Sequence, residues 1–197
     1  MKNRIAAPAA LLIAGTLALA GCAPAQPADP ADHSNMGHSA SDAPSSGAND
    51  ADAMFASMMI VHHQQAVEMS DIVLAKEGVD PRVVDLAERI KAAQSPEIEQ
   101  LQGWLDEWGV EPDDGSGMDH GDGMMSEDDL AALEAAAGPE ASRLFLEQMI
   151  MHHEGAVEMA EAQIADGEDA DAVALAQEIV DAQTAEIAEM RELLASL

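Results

Sequence analysis

Two adjacent histidine pairs, His62-His63 and His152-His153, stand ninety residues apart in matching settings. Each has a methionine three residues before its first histidine and another seven after it: Met59 and Met69 in one case, Met149 and Met159 in the other. Imidazole suits copper, zinc, nickel and iron, whereas a thioether selects soft Cu(I). On a helix, Met-x-x-His places the two donor types one turn apart on the same face. Further along, Glu97 and Glu186 each follow a glutamine, Gln94 and Gln183, within an otherwise apolar helical stripe. A carboxylate in such a stripe needs a compensating partner. The pattern therefore suits two separate metal sites, or one formed between the copies, drawing on Met59, His62, His63, Met69 and Glu97, and on Met149, His152, His153, Met159 and Glu186. Each glutamate either binds the ion or fixes a ligand histidine by accepting its other ring N–H. A metal-free network of His, Gln and Glu is the alternative.

Smaller clusters repeat the same chemistry in polar chain. His33-Ser-Asn-Met36-Gly-His38 lies in a Pro/Ala/Ser-rich stretch, and Met118-Asp-His120 with Met124-Met125 in a Gly-rich one. No core needs them.

The elements that must position these residues are helices. Phe55, Met59, His62, Ala66, Met69 and Val73 follow alternating steps of four and three, a core-facing stripe. His62 falls inside that seam, and His63 lies about 100° round the helix, at its edge. Phe55–Met69 aligns with Phe145–Met159 at nine of fifteen positions, and Leu86–Ile98 with Leu175–Ile187 at seven of thirteen. The chain thus reads as a duplicated helical hairpin, with copies over 50–108 and 139–197 and a linker over 109–138. Punctuation predicts helices over 51–77, 81–108, 127–137, 139–167 and 170–196. Asp80-Pro81 starts the second, Ser126 with Asp129 resembles a capping box, Pro139 starts the fourth, and Pro96 predicts a kink. The expected fold is all-α: a four-helix bundle with a short extra helix in the crossover.

Composition agrees. Of 197 residues, 38 are acidic and 8 basic, so nucleic-acid binding is excluded for want of charge to neutralise phosphates. Only 2% are aromatic, which suits close-packed helices better than a β-sandwich. The single cysteine, Cys22, excludes a disulfide framework. It ends the segment Leu19-Ala20-Gly21-Cys22 after a basic start and an apolar, alanine-rich run, which resembles the lipobox of bacterial lipoprotein signal peptides. That resemblance implies a signal peptide over 1–21, acylation of Cys22, a stalk over 22–49 and a protein tethered outside the cytoplasm.

The doubled motif, Met59-Ile-Val-His62-His63-Gln-Gln-Ala66-Val-Glu-Met69 and Met149-Ile-Met-His152-His153-Glu-Gly-Ala156-Val-Glu-Met159, resembles the bacterial family called domain of unknown function 305. The resemblance covers residues 50–197. It implies a ferritin-like helical fold and extracytoplasmic copper binding, the copper ion being the expected ligand. One departure from di-iron ferritin-like proteins matters: Met59 and Met149 stand where a Glu-x-x-His motif has its glutamate, and no Glu-x-x-His occurs. The leading reading is a lipid-anchored Cu(I) protein for buffering, delivery or resistance. A metal-dependent oxidoreductase and a metal-free acidic helical interaction module are the alternatives. No nucleophile or base motif calls for catalysis, and no protein partner is named by the sequence.

Overall fold

A computed structural model describes residues 47–111 and 123–197. Cys22, the segments 1–21 and 22–46, and the clusters at His33–His38 and Met118–His120 lie outside the described residues. Five helices account for the regular structure of the described residues: α1 (Asp50–Leu74), α2 (Pro81–Trp108), α3 (Glu127–Ala135), α4 (Pro139–Asp166) and α5 (Ala170–Ser196). Among the described residues there is no strand, and no helix is long and apolar enough to cross a membrane.

The helix starts follow local chemistry. Asn49 caps α1 in a reciprocal box with Asp52, and Ser126 caps α3 in the same way with Asp129. The Asp80 side chain accepts from the Arg82 N–H at the start of α2, and Pro81 takes the first helical position. The Arg82 guanidinium on that carboxylate holds the Asp80 pKa down to about 2. α1 stops at Leu74 rather than 77, because the Lys76 N–H turns back to the Val73 carbonyl and tightens the chain towards Gly78. The second helix continues through Pro96, where the Ser95 hydroxyl donates to the Lys91 carbonyl.

α1 packs on α2 and α4 on α5, and the two hairpins meet chiefly through α1 and α4, with α3 laid against both. The buried side chains form two apolar clusters. One joins Ala66, Met69, Ile90, Phe145, Met149 and Ile187. The other joins Phe55, Met59, Leu101, Ala156, Ala160 and Ile179. The start of α1 therefore lies beside the end of α4, so these two helices run antiparallel. The sequence between the two clusters on every long helix is where the polar residues of the candidate site fall.

Cross-hairpin hydrogen bonds hold the helix ends in register. Asp52, fully buried in the first turn of α1, accepts from the backbone N–H groups of Glu168 and Asp169 in the α4–α5 loop. Ser142, at the aligned position of α4, accepts from the Asp80 N–H in the α1–α2 loop. Each hairpin's first helix thus satisfies backbone donors of the other hairpin's loop. For Asp52, burial alone would raise the pKa, but hydrogen bonds from Asn49, Gln163, Glu168 and Asp169 outweigh it and hold the carboxyl below its ordinary value.

Candidate metal centre

All four paired histidines are fully buried, His63 and His153 no less than His62 and His152. They occupy a layer between the two apolar clusters, where α1 and α4 cross. His62 and His152 face one another across that crossing, with ring centroids 3.7 Å apart and planes tilted by 40°. The adjacent histidines turn outward to the second helix of their own hairpin. His63 donates its Nε2–H to Glu97 Oε2 at 2.7 Å, and His153 donates to Glu186 Oε2 at 2.8 Å. The hundred-degree step between neighbours on a helix produces this division: one histidine meets the other hairpin, the next meets its own.

The two glutamates are not core residues. Their side chains are 25% and 18% exposed, so each carboxylate keeps some water while its oxygen reaches the buried imidazole. This placement removes the need to desolvate a carboxylate fully inside an apolar stripe. It also fixes the ring chemistry. A carboxylate only accepts, so the hydrogen at Nε2 is committed to the glutamate, and in the neutral ring Nδ1 carries the lone pair. The Nδ1 atoms of His63 and His153 are buried and make no hydrogen bond. Neither nitrogen of His152 has a hydrogen bond of good geometry, although a backbone group of His62 lies near enough to favour its charged form. Burial pushes the His152 pKa well below the usual histidine value, and His62, His153 and His63 push the same way.

Gln94 and Gln183, nearly fully buried, belong to the same layer, and their Oε1 atoms also lack partners. So many buried acceptors without a protein partner are unusual. Among the described residues, no three His, Cys, Asp or Glu side chains converge as a ready ligand set. The layer thus holds four buried imidazoles that do not converge on one point, and no carboxylate cage of a hard-metal site is formed among the described residues.

The methionines divide. Met59 and Met149 are fully buried one turn from His62 and His152, on opposite sides of the histidine layer. Met69 and Met159 lie two turns away, about 10 Å of helix rise. Met69 is buried in an apolar cluster, whereas Met159 is only partly buried and lines a surface pocket with Met54 and Met58. The sequence pattern grouped all four with the histidines; helix rise separates the second pair from them.

A clasp beside the layer was not anticipated. Gln65 bonds the Met125 backbone twice, donating to its carbonyl at 2.9 Å and accepting from its N–H at 2.6 Å. On α4 the aligned residue is Gly155, and Gly123 packs there with φ 79°; a Cβ on Gly123 would stand 2.6 Å from the Met151 carbonyl oxygen. The repeat differs here, Gln65 against Gly155, where the linker crosses both helices, but this is one of six differences in the aligned fifteen positions and does not mark the clasp by itself.

Fold and site together define a class of small all-helical proteins whose paired hairpins enclose adjacent-histidine pairs. The chain belongs to the family described as Domain of unknown function (DUF305), whose model matches residues 52–194. Similar solved structures include a family protein from Streptomyces coelicolor described as secreted, 36% identical with TM-score 0.69, covering 74% of this chain and 91% of that one. A family fragment from Deinococcus radiodurans is 31% identical, with TM-score 0.71 and coverage of 76% and 99%. CopM in its Cu(I)-bound form is 32% identical, with TM-score 0.62 and coverage of 74% and 96%; it has also been solved with Cu(II) and with silver. No curated protein matches the chain.

Proposed function

We propose that this chain is an extracytoplasmic copper-binding protein, Cu(I) being favoured, that buffers, delivers or detoxifies the ion. The observation that carries the reading is the buried histidine layer, whose Nδ1 lone pairs on His63 and His153 are left open while Glu97 and Glu186 fix the opposite edge of each ring. A glutamate accepting the far ring N–H is a common outer partner of a ligand histidine. Monovalent copper accepts few, soft donors and tolerates a dry site. The layer supplies imidazoles, with the thioethers of Met59 and Met149 one turn away and no cluster of hard oxygens. Copper and silver forms of CopM, which shares about a third of its residues with this chain, support the same choice of ion.

In this reading the imidazoles of the His62-His63 and His152-His153 pairs hold copper, as one ion shared between the hairpins or one ion per pair, Met59 and Met149 are candidate thioether donors, and Glu97 and Glu186 act through the histidines. The four long helices form a ferritin-like four-helix bundle made by duplication, and α3 belongs to its crossover. Residues 1–21 are a signal peptide, Cys22 is the lipid anchor, and residues up to 49 form a stalk at the membrane. Copper is cargo here, and no catalytic step is assigned.

Competition between the purified domain and a Cu(I) chelator tests the proposal. His62→Ala with His152→Ala should abolish the tight equivalent of copper. Unchanged stoichiometry and affinity in that variant would sink it.

A further inference from the structure

Met54, Met58 and Met159 line one surface pocket of about 220 Å³ between the first turns of α1 and the last turns of α4. Met54 and Met58 are four residues apart on one helix and share a face; Met159 approaches from the other helix. Met54 is 63% exposed, while Met58 and Met159 are partly buried. The rest of the apolar lining is two alanines and the buried ring of Phe55, so sulfur-bearing side chains dominate what a visitor would meet.

Ordinary groove filling accounts poorly for this choice. The aligned positions of the second hairpin hold Leu144, Gln148 and Met69. There Leu144 packs against the apolar cluster, Gln148 donates to the Asp129 carbonyl, and α3 covers the groove with Leu133. At the opposite end the lining comes from α1 and α4 alone among the described residues. Methionine at 54 and 58 is thus confined to the hairpin whose groove is open, and leucine serves where only packing is required. Two oxygen-bearing side chains complete the wall. Gln163 is 2% exposed, donates from Nε2 to Asp52, and leaves its Oε1 without a partner. Asp166 is exposed and brings a negative charge.

We infer that this pocket is a second soft-metal site, taking Cu(I) or Ag(I) on the sulfurs of Met54, Met58 and Met159. Neutral thioethers bind soft monovalent ions and discriminate against Zn(II) and other harder cations. Met159 lies two turns, about 10 Å of rise, from His152, so the pocket ion and an ion in the histidine layer are separate. The pocket opens to solvent and the layer does not, so the pocket loads without any opening of the interior. It stands whether or not the histidines bind metal.

The full chain carrying ¹³C-methyl methionine, titrated with silver nitrate in halide-free buffer, tests the site. Methyl signals of Met54, Met58 and Met159 should shift together on one saturation curve, and zinc should move none of them. Met54→Leu, Met58→Leu and Met159→Leu combined should lower the silver stoichiometry by one per chain, with helix content and Tm unchanged. The inference fails if these three methyls stay still while other methionines respond, or if they follow unrelated curves. It fails equally if a folded triple-leucine variant binds as much silver as the parent. Imidazole signals followed in the same titration report the histidine layer independently.

Discussion

The imidazoles of His62 and His152 meet across the crossing of α1 and α4, 3.7 Å between centroids and tilted by 40°. Neither hairpin alone could build this arrangement, because each contributes one ring. The histidine layer therefore exists only when the two hairpins are docked, and anything that binds it also holds them together. Copper(I) at 100 times its dissociation constant should stabilise the fold by about 2.7 kcal/mol. Thermal unfolding with and without the ion, under anaerobic conditions, reads this directly.

In the proposed site Glu97 and Glu186 act through their histidines, to which they are hydrogen-bonded. Glu97→Gln with Glu186→Gln should weaken Cu(I) binding roughly 10- to 100-fold, the usual cost of losing an outer partner, while the stoichiometry stays the same. Chelator competition separates these outcomes. A lost equivalent of copper would make the carboxylates ligands instead.

Met59 and Met149 can be tested without disturbing the core. Met→Leu conserves volume and costs less than about 1.5 kcal/mol, so Met59→Leu with Met149→Leu should fold normally. Weaker binding of Cu(I) in that variant, with unchanged Tm, identifies the thioethers as donors. Unchanged affinity leaves the imidazoles as the whole donor set.

Asp52 gives the fold an acid-sensitive joint. Its folded pKa lies below the ordinary 3.8, so its contribution to stability is fully present above that value and is lost as pH falls through the folded pKa. Asp52→Ala should cost on the order of 3 kcal/mol at neutral pH, since it strands the Glu168 and Asp169 N–H groups. Denaturant titrations of the apo protein from pH 7 to pH 2 should show a shallower loss of stability in the variant than in the parent below pH 3.8.

Gly123 holds the linker against α4. Gly123→Ala places a Cβ 2.6 Å from the Met151 carbonyl at a left-handed backbone position, so it should cost about 1–3 kcal/mol locally. Faster proteolysis at residues 123–126, with the hairpins still helical, is the expected readout.

Much of this was legible in the sequence because helical spacing is a direct record of facing. The stripe through Phe55, His62 and Met69 predicts burial of His62, and the caps at Asp80 and Ser126 mark helix starts within a residue. What spacing could not provide was which neighbouring element each side chain meets. It placed Met69 and Met159 two turns from the histidines, but did not show that Met69 is sealed in an apolar cluster while Met159 lines a surface pocket. It put Glu97 and Glu186 in the core, though long side chains let their carboxylates stay at the rim. Asp52 and the Gln65 clasp depend on loops that arrive from other parts of the chain, which periodicity does not encode.

The most direct measurement is X-ray absorption at the copper edge on protein loaded with one Cu(I), under a chelator that retains only the tightest ion. The expected spectrum is that of a low-coordinate Cu(I) with imidazole scattering from the His62, His63, His152 and His153 layer, lost in His62→Ala with His152→Ala. A spectrum with sulfur neighbours alone, unchanged in that variant, would contradict a histidine-held ion.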